Sequence, residues 1–262
     1  MRVSLIQVAS PESESPQARR DRVAAMVADA AGSDLVVLPE LWAPGYFAFD
    51  RYLDRAEPMH GDTVLAGRQW AKQLGCYLQL GSFLERTESG AVHNTAVLLD
   101  PSGEIVHSYR KVHVFGYQSR EAEILTPGTG VSAVQTPYGR LGATTCYDLR
   151  FPELWRDLVD TGAEGVLVPA AWPAARRAHW RLFTSCRAVE EQLLIFACNA
   201  VGTQDGVELG GYSRVIDPWG EVLAEAGTEE GITSCEVDPD IVRRTRKEFP
   251  VLADRRPRSA SA

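Results

Sequence analysis

DLVVLPELW (residues 34–42) and EGVLVPAAW (residues 164–172) carry one pattern twice: an acidic residue, a short apolar run, a proline and, shortly after, a tryptophan. The segments downstream of the two copies match as well. A stretch with helical spacing leads to CYLQLGSF (76–83) in the first case and LLIFACNA (193–200) in the second, and then to AVLLDPSGEIVHSY (96–109) or SRVIDPWGEVLAEA (213–226). Both of the last segments contain an Asp-Pro-x-Gly-Glu turn, in which proline presets φ and glycine completes the reversal. The duplication predicts two similar β-sheets facing each other, with helices outside.

The rest of the chain fits that plan. VSLIQVA (3–9), VHNTAVLLD (92–100), EIVHSYR (104–110), RLGATTCYD (140–148), YSRVIDP (212–218), EVLAEA (221–226) and ITSCEVD (232–238) read as further strands,. QARRDRVAAMVADAAG, TVLAGRQWAKQLG, FPELWRDLVDTG and AHWRLFTSCRAVEEQ carry helical spacing, and three of the four end near a glycine,. Several strands are apolar on both faces, as sheets covered by helices require. The class is α/β. No Pro/Gly/Ser-rich linker separates the halves, so residues 1–262 are expected to form one domain, with PESESP (11–16) a short loop and the tail from about residue 255, RRPRSASA, flexible or engaged in an interface,.

Composition narrows the function. A net charge of −8 leaves no basic face for a general nucleic-acid binder,. No apolar run is long enough to span a bilayer. The opening MRVSLIQVAS lacks the apolar core and small-residue cleavage site of a secretion signal,. Five cysteines (76, 146, 186, 198, 235) stand scattered, without disulfide or zinc spacing, so no metal is expected and a reducing cytoplasm is the expected compartment,.

Among those cysteines Cys146 is singled out by position. It lies between a predicted strand and a predicted helix, where the helix dipole would favour thiolate and where the backbone N–H of Tyr147 would face an oxyanion forming beside the sulfur,. The other four cysteines fall inside predicted elements and read as core. A nucleophilic cysteine needs a base, yet none of His60, His93, His107, His113 and His179 sits in a partner motif,. Glu40 ends the apolar run DLVVLPE, either as a surface carboxylate or as a functional group at the sheet's C-terminal edge,. Lys111 holds the equivalent place after EIVHSYR and, alone, reads as a solvated lysine.

LPELWAPGY, YRKVHVF and TTCYDLRFPEL, in that order, resemble the three signature segments of the nitrilase superfamily of carbon–nitrogen hydrolases. The resemblance covers essentially the whole chain. It implies a four-layer α-β-β-α sandwich and a Glu-Lys-Cys triad at Glu40, Lys111 and Cys146. A further glutamate before the "L-[ST]-P-G" segment falls on Glu121, in REAEILTPG, where it would orient Lys111. The implied reaction is hydrolysis of a small amide through a cysteine thioester, with no cofactor. CYDLRFPEL followed by AHW and SCRAVEEQ is similar to the ω-amidase and deaminated-glutathione amidase group, which acts on terminal amides of small carboxylates such as 2-oxoglutaramate.

Around the triad, Tyr46, Phe47 and Trp172 are candidate pocket walls, while Asp148, Arg150 and Glu153 read mainly as a cluster tying the Cys146 turn together. Arg176 and Arg177 read either as a bidentate clamp for a substrate carboxylate or as a solvated helix start. The loop between Lys111 and Glu121 is shorter than in that group, and Gly116 stands where aspartate is usual, which leaves an N-carbamoyl or nitrile substrate as the alternative. A reactive thiol also suits a non-catalytic sensor. The resemblance implies homodimers or larger oligomers, and Phe151, Leu154, Trp155 and Leu158 form an apolar stripe that reads either as ordinary core packing or as such an interface,.

Overall fold

The structure is a computed structural model describing residues 1–256. The first half contributes β1 (Arg2–Gln7), β2 (Leu35–Val37), β3 (Tyr77–Arg86), β4 (Val92–Leu99) and β5 (Ile105–Arg110). The second contributes β6 (Ala133–Thr136), β7 (Gly139–Ala143), β8 (Gly165–Ala170) and β9 (Leu194–Asn199). A small hairpin, β10 (Thr203–Gln204) and β11 (Val207–Glu208), precedes β12 (Arg214–Ile216), β13 (Val222–Glu225) and β14 (Gly231–Glu236). Two six-stranded mixed sheets result, ordered β14-β1-β2-β3-β4-β5 and β13-β12-β9-β8-β7-β6. Taken from β6, the second sheet repeats the first strand for strand, each with an antiparallel edge, a parallel centre and an antiparallel pair at the far side.

The helices are α1 (Pro16–Asp29), α2 (Tyr52–Arg55), α3 (Asp62–Leu74), α4 (Glu121–Ile124), α5 (Pro152–Asp160), α6 (Arg177–Glu190) and α7 (Ile241–Glu248). Ser15, the last serine of PESESP, caps α1 by accepting from Ala18 N–H, with Pro16 in the first turn,. α1 and α3 press Val23, Val27 and Trp70 onto Leu78 and Leu80 of the first sheet. α5 and α6 press Trp155, Leu158 and Trp180 onto Val166 and Val168 of the second. Between the sheets, Leu5, Val37 and Leu98 meet Leu167, Phe196 and Val215. Each such side chain contributes about 1.5–3 kcal/mol through burial, and a strand served on both faces must be apolar on both.

Some expectations change. The strand expected over 140–148 stops at Ala143, and Cys146–Arg150 form a 3-10 turn ahead of α5. Of the two readings of the stripe, Leu154, Trp155 and Leu158 take the core one, at 5%, 0% and 0% exposed, while Phe151, ahead of α5, is half-buried. Cys76 and Cys198 are buried, but Cys186 is exposed and Cys235 partly so, against the reading of all four as core. Most of the tail expected from residue 255 lies outside the described residues, and Arg255 itself pairs with Asp160 at 2.8 Å. Among the described residues no helix is long and apolar enough to cross a membrane.

One glycine positions the site from below. β3 is interrupted between Gln79 and Ser82, and Gly81 there has φ +73, with a Cβ built on it falling 2.0 Å from the carbonyl oxygen of Pro39. The first-half strand end thus rests directly on β3. Gly75, the αL cap of α3, has φ +63 but open space around it. Gly75→Ala should therefore cost about 1 kcal/mol for the backbone conformation alone, and Gly81→Ala clearly more, since the clash adds to it. Urea unfolding of the two variants side by side checks this, and equal losses would mean that the approach to Pro39 is not tight.

Candidate active site

Both halves of the duplication end at one place. Glu40 comes just after β2, and its backbone N–H donates to the carbonyl of Ala170, the residue that occupies the same position in the second copy. Leu41, next in chain, has φ 45, and Cys146 has φ 48. Left-handed backbone at non-glycine residues costs of order 1–3 kcal/mol and persists only where neighbours impose it. On the Glu40 side the neighbour is Arg19, 1% exposed, whose guanidinium donates to the carbonyls of Trp42 (3.1 Å) and Ala43 (2.8 Å) and, on its other side, of Pro11 (2.7 Å) and Glu14 (3.2 Å).

The polar centre is closed from water, with Glu40 and Lys111 1% exposed, Glu121 0% and Cys146 6%. Lys111 Nζ donates to Glu40 Oε1 at 2.8 Å and to Glu121 Oε1 at 2.9 Å. Glu121 is further engaged, its Oε2 accepting Tyr46 O–H at 2.7 Å and Phe115 N–H at 3.3 Å. Glu40 Oε2 accepts the N–H of Ala171 at 2.9 Å. The Cys146 thiol sits against the same cluster, close enough for the Glu40 carboxylate and the Lys111 ammonium both to act on it. The four residues expected from the sequence thus meet in one cluster.

Burial governs the charges. It raises the pKa of Glu40 above the usual carboxylate range, against the pull of Lys111. It works against the ammonium of Lys111, but Glu121 and Glu40 outweigh it and hold that pKa above the ordinary value. Burial, and then the Glu40 carboxylate, push the Cys146 thiol well above its ordinary value. These directions run against the thiolate expected from the helix dipole: α5 begins at Pro152, close to where the spacing put it, but the 3-10 turn Cys146–Arg150 stands between it and the sulfur, and burial favours a thiol beside the carboxylate. Such a pair suits proton removal during attack rather than a preformed thiolate.

Asp148, fully buried, ties the Lys111 and Cys146 segments together. Its Oδ2 accepts Tyr109 O–H (2.7 Å) and Thr145 N–H (2.9 Å), and its Oδ1 accepts His113 N–H (3.0 Å) and contacts His113 Nδ1 (2.8 Å). Residues on both sides of Lys111 and the one before Cys146 are thereby fixed by one carboxylate. His113 also stacks on Phe151 at 3.7 Å.

Above the sulfur opens a cavity of about 230 Å³, lined by Tyr46, Phe47, Phe115, Tyr147 and Trp172. Arg176 and Arg150 also line it. Arg176 lies over the Phe115 ring at 5.7 Å, and Arg150 over the rings of Trp172 (4.9 Å) and Phe183 (5.2 Å). Arg177 turns away, toward Glu208 and Tyr212, so the expected pair of arginines is split. Arg150, expected to be structural, takes the vacated place. Among the described residues neither Arg150 nor Arg176 has a carboxylate partner, whereas neighbouring Arg181 pairs with Glu225. Burial and the like charge of Arg176 disfavour the charged form of Arg150. Among the described residues no three His, Cys, Asp or Glu side chains converge where a metal ion would sit.

Comparison with known proteins agrees with this geometry. Residues 2–247 match the family model described as carbon-nitrogen hydrolase, and the chain belongs to that family. It is 34% identical over 261 residues to the 2-oxoglutaramate amidase of Paenarthrobacter nicotinovorans, covering 97% of this chain and 89% of that one. The 2-oxoglutaramate amidase of Bacillus subtilis is 36% identical over 223 residues, 85% of each chain. Among solved structures, XC1258 of Xanthomonas campestris, a CN-hydrolase superfamily protein with an arsenic adduct in its active site, superposes with TM-score 0.91 at 30% identity, covering 100% of this chain and 99% of that one.

The Asp148 hub makes a prediction. Asp148→Asn keeps the shape but turns a donor toward donors, and is expected to lower stability by about 3 kcal/mol or more, whereas Tyr109→Phe should lose about 1 kcal/mol. Urea unfolding measures both, and similar losses for the two would remove the carboxylate from this role.

Proposed function

We propose that this protein hydrolyses the terminal amide of a small carboxylate through a thioester on Cys146. The observation that carries the reading is the union of two features: a buried Glu40–Lys111–Glu121 set against the thiol, and, over it, a small cavity bearing two guanidiniums that lack acidic partners among the described residues. The names of the 2-oxoglutaramate amidases support the substrate class.

In this reading Cys146 Sγ attacks the amide carbon as its proton passes to Glu40. The oxyanion is held by the ammonium of Lys111 and the N–H of Tyr147, each worth about 3 kcal/mol in a dry site. The C–N bond breaks, and ammonia leaves with the proton from Glu40. Water then gives a proton to Glu40 and attacks the thioester, the acid departs and the thiol is restored. Glu121, occupied by Lys111, Tyr46 and Phe115, orients the ammonium. Arg176 and Arg150 hold the substrate's carboxylate above Trp172, and its negative charge relieves their mutual repulsion. A thiol sensor is disfavoured, because a sensing cysteine needs a low pKa and burial works in the opposite direction here,.

Two further readings belong with this one. Leu182, Val189, Trp219 and Phe249 are 49–63% exposed, with Trp219 stacked on Phe249, and we take this face rather than the α5 stripe as the homodimer contact,. The thiols, none of them in a disulfide among the described residues, fit a cytoplasmic location,.

Ammonia release from 2-oxoglutaramate, glutamine, asparagine, simple aliphatic amides and carbamoyl amino acids is the test. Turnover is expected for amides bearing a carboxylate and should vanish in Cys146→Ala. Arg176→Ala should raise KM for these substrates roughly tenfold or more while sparing uncharged amides. Because Glu40 must be ionised and its pKa is raised, kcat/KM should fall as pH drops through a midpoint above about 4.3, the ordinary glutamate value,. Turnover surviving Cys146→Ala, or confined to carbamoyl compounds, would sink the reading.

A further inference from the structure

Asn94 lies in β4, 1% exposed, within a strand whose residues are all buried. Its Nδ2 donates to Glu40 Oε1 at 2.8 Å and reaches Glu121 Oε1 at 3.4 Å. Its backbone carbonyl accepts the N–H of Lys111 at 2.9 Å. One residue therefore touches both carboxylates and the main chain of the lysine between them. Among the described residues its Oδ1 has no hydrogen-bond partner. A buried amide half unsatisfied costs stability that an isosteric leucine would not, so its value must lie in what Nδ2 does.

The two oxygens of Glu40 are treated differently. Oε1 already receives Lys111 Nζ and Asn94 Nδ2, both at 2.8 Å, whereas among the described residues Oε2 receives only the N–H of Ala171, at 2.9 Å. We propose that Asn94 is a positioning residue that saturates Oε1 of Glu40 and so reserves Oε2 as the oxygen that takes the proton of Cys146. This rests on the reading of Glu40 as the base. The groups facing the amide are Glu40 beyond β2, Lys111 beyond β5 and Glu121 on α4; Tyr46 donates to Glu121, and Cys146 acts on Glu40.

Two substitutions separate this role from plain packing. Asn94→Leu keeps volume and removes the donor, and Asn94→Asp supplies a donor only while it is protonated. Between two carboxylates the new carboxyl keeps its proton at neutral pH and loses it at higher pH. Asn94→Leu is expected to lower kcat/KM on the preferred amide by about tenfold to a hundredfold, with KM little changed. Its acid limb should move up by about one pH unit, since the carboxylate loses a stabilising donor. Asn94→Asp is expected to work better than Asn94→Leu near neutrality and to lose that advantage as pH rises, a basic limb that the parent lacks.

The pH dependence of Cys146 alkylation by iodoacetamide, read by peptide mass, gives a second readout that is independent of turnover. Circular dichroism melting confirms that each variant is folded. Identical profile shapes for Asn94→Leu and Asn94→Asp, or an unmoved acid limb with full kcat, would overturn the role of Asn94. Cys146→Ala run in parallel marks the other failure, because activity surviving that change overturns the catalytic reading itself.

Discussion

A carboxylate, an ammonium and a thiol cannot be withdrawn from water one at a time. A lone buried charge carries a desolvation penalty of several kcal/mol, and the attraction of a partner offsets it only when hydrogen bonds satisfy what remains. Here Lys111 stands between Glu40 and Glu121, and Tyr46, Phe115, Ala171 and Asn94 occupy other lone pairs of those two carboxylates. The set is complete only as a whole. That condition explains why the loop after β2, the strand end after β5, the short α4 and the turn at Cys146 are each held by dedicated contacts, from Arg19 on one side to Asp148 on the other.

The duplicated sheets supply the geometry for this. β2 and β8 are equivalent strands in facing sheets, and their ends touch through Glu40 N–H and the Ala170 carbonyl. Where the first copy carries a carboxylate the second carries alanine, and that small residue, with Ala171 beside it, leaves room for the thiol to reach Glu40. Function thus comes from departures from internal symmetry. The symmetry itself, visible in matching strand orders, serves to bring two strand ends together without water between them.

The sequence showed the fold well, because the signals were of the kind that burial imposes: repeated apolar runs, Asp-Pro-x-Gly-Glu turns and helical spacing. Glu40, Lys111 and Cys146 were legible too, as reactive types at strand ends within a family pattern. What was missed had no such mark. Asn94 sits between His93 and Thr95 in β4, where one more polar residue looks incidental, and Ala171 acts through its backbone. Arg150 looked structural because its neighbour Asp148 is. The expectation of a thiolate at Cys146 counted the dipole of the helix after Phe151 and left out burial and the Glu40 carboxylate, which push the thiol up. It also left out the 3-10 turn before that helix, where Asp148 captures Thr145 N–H.

The closing of the first sheet has a consequence for synthesis. β1 precedes β14 by nearly the length of both sheets, yet its outer edge pairs with β14, and Met1 and Val237 exchange main-chain hydrogen bonds on the same edge. Until β14 has left the ribosome, that edge lacks this cover, and an open strand edge invites pairing with other chains. The nascent first half is thus the vulnerable species, and its protection arrives only with β14, after every strand of the second sheet has been made.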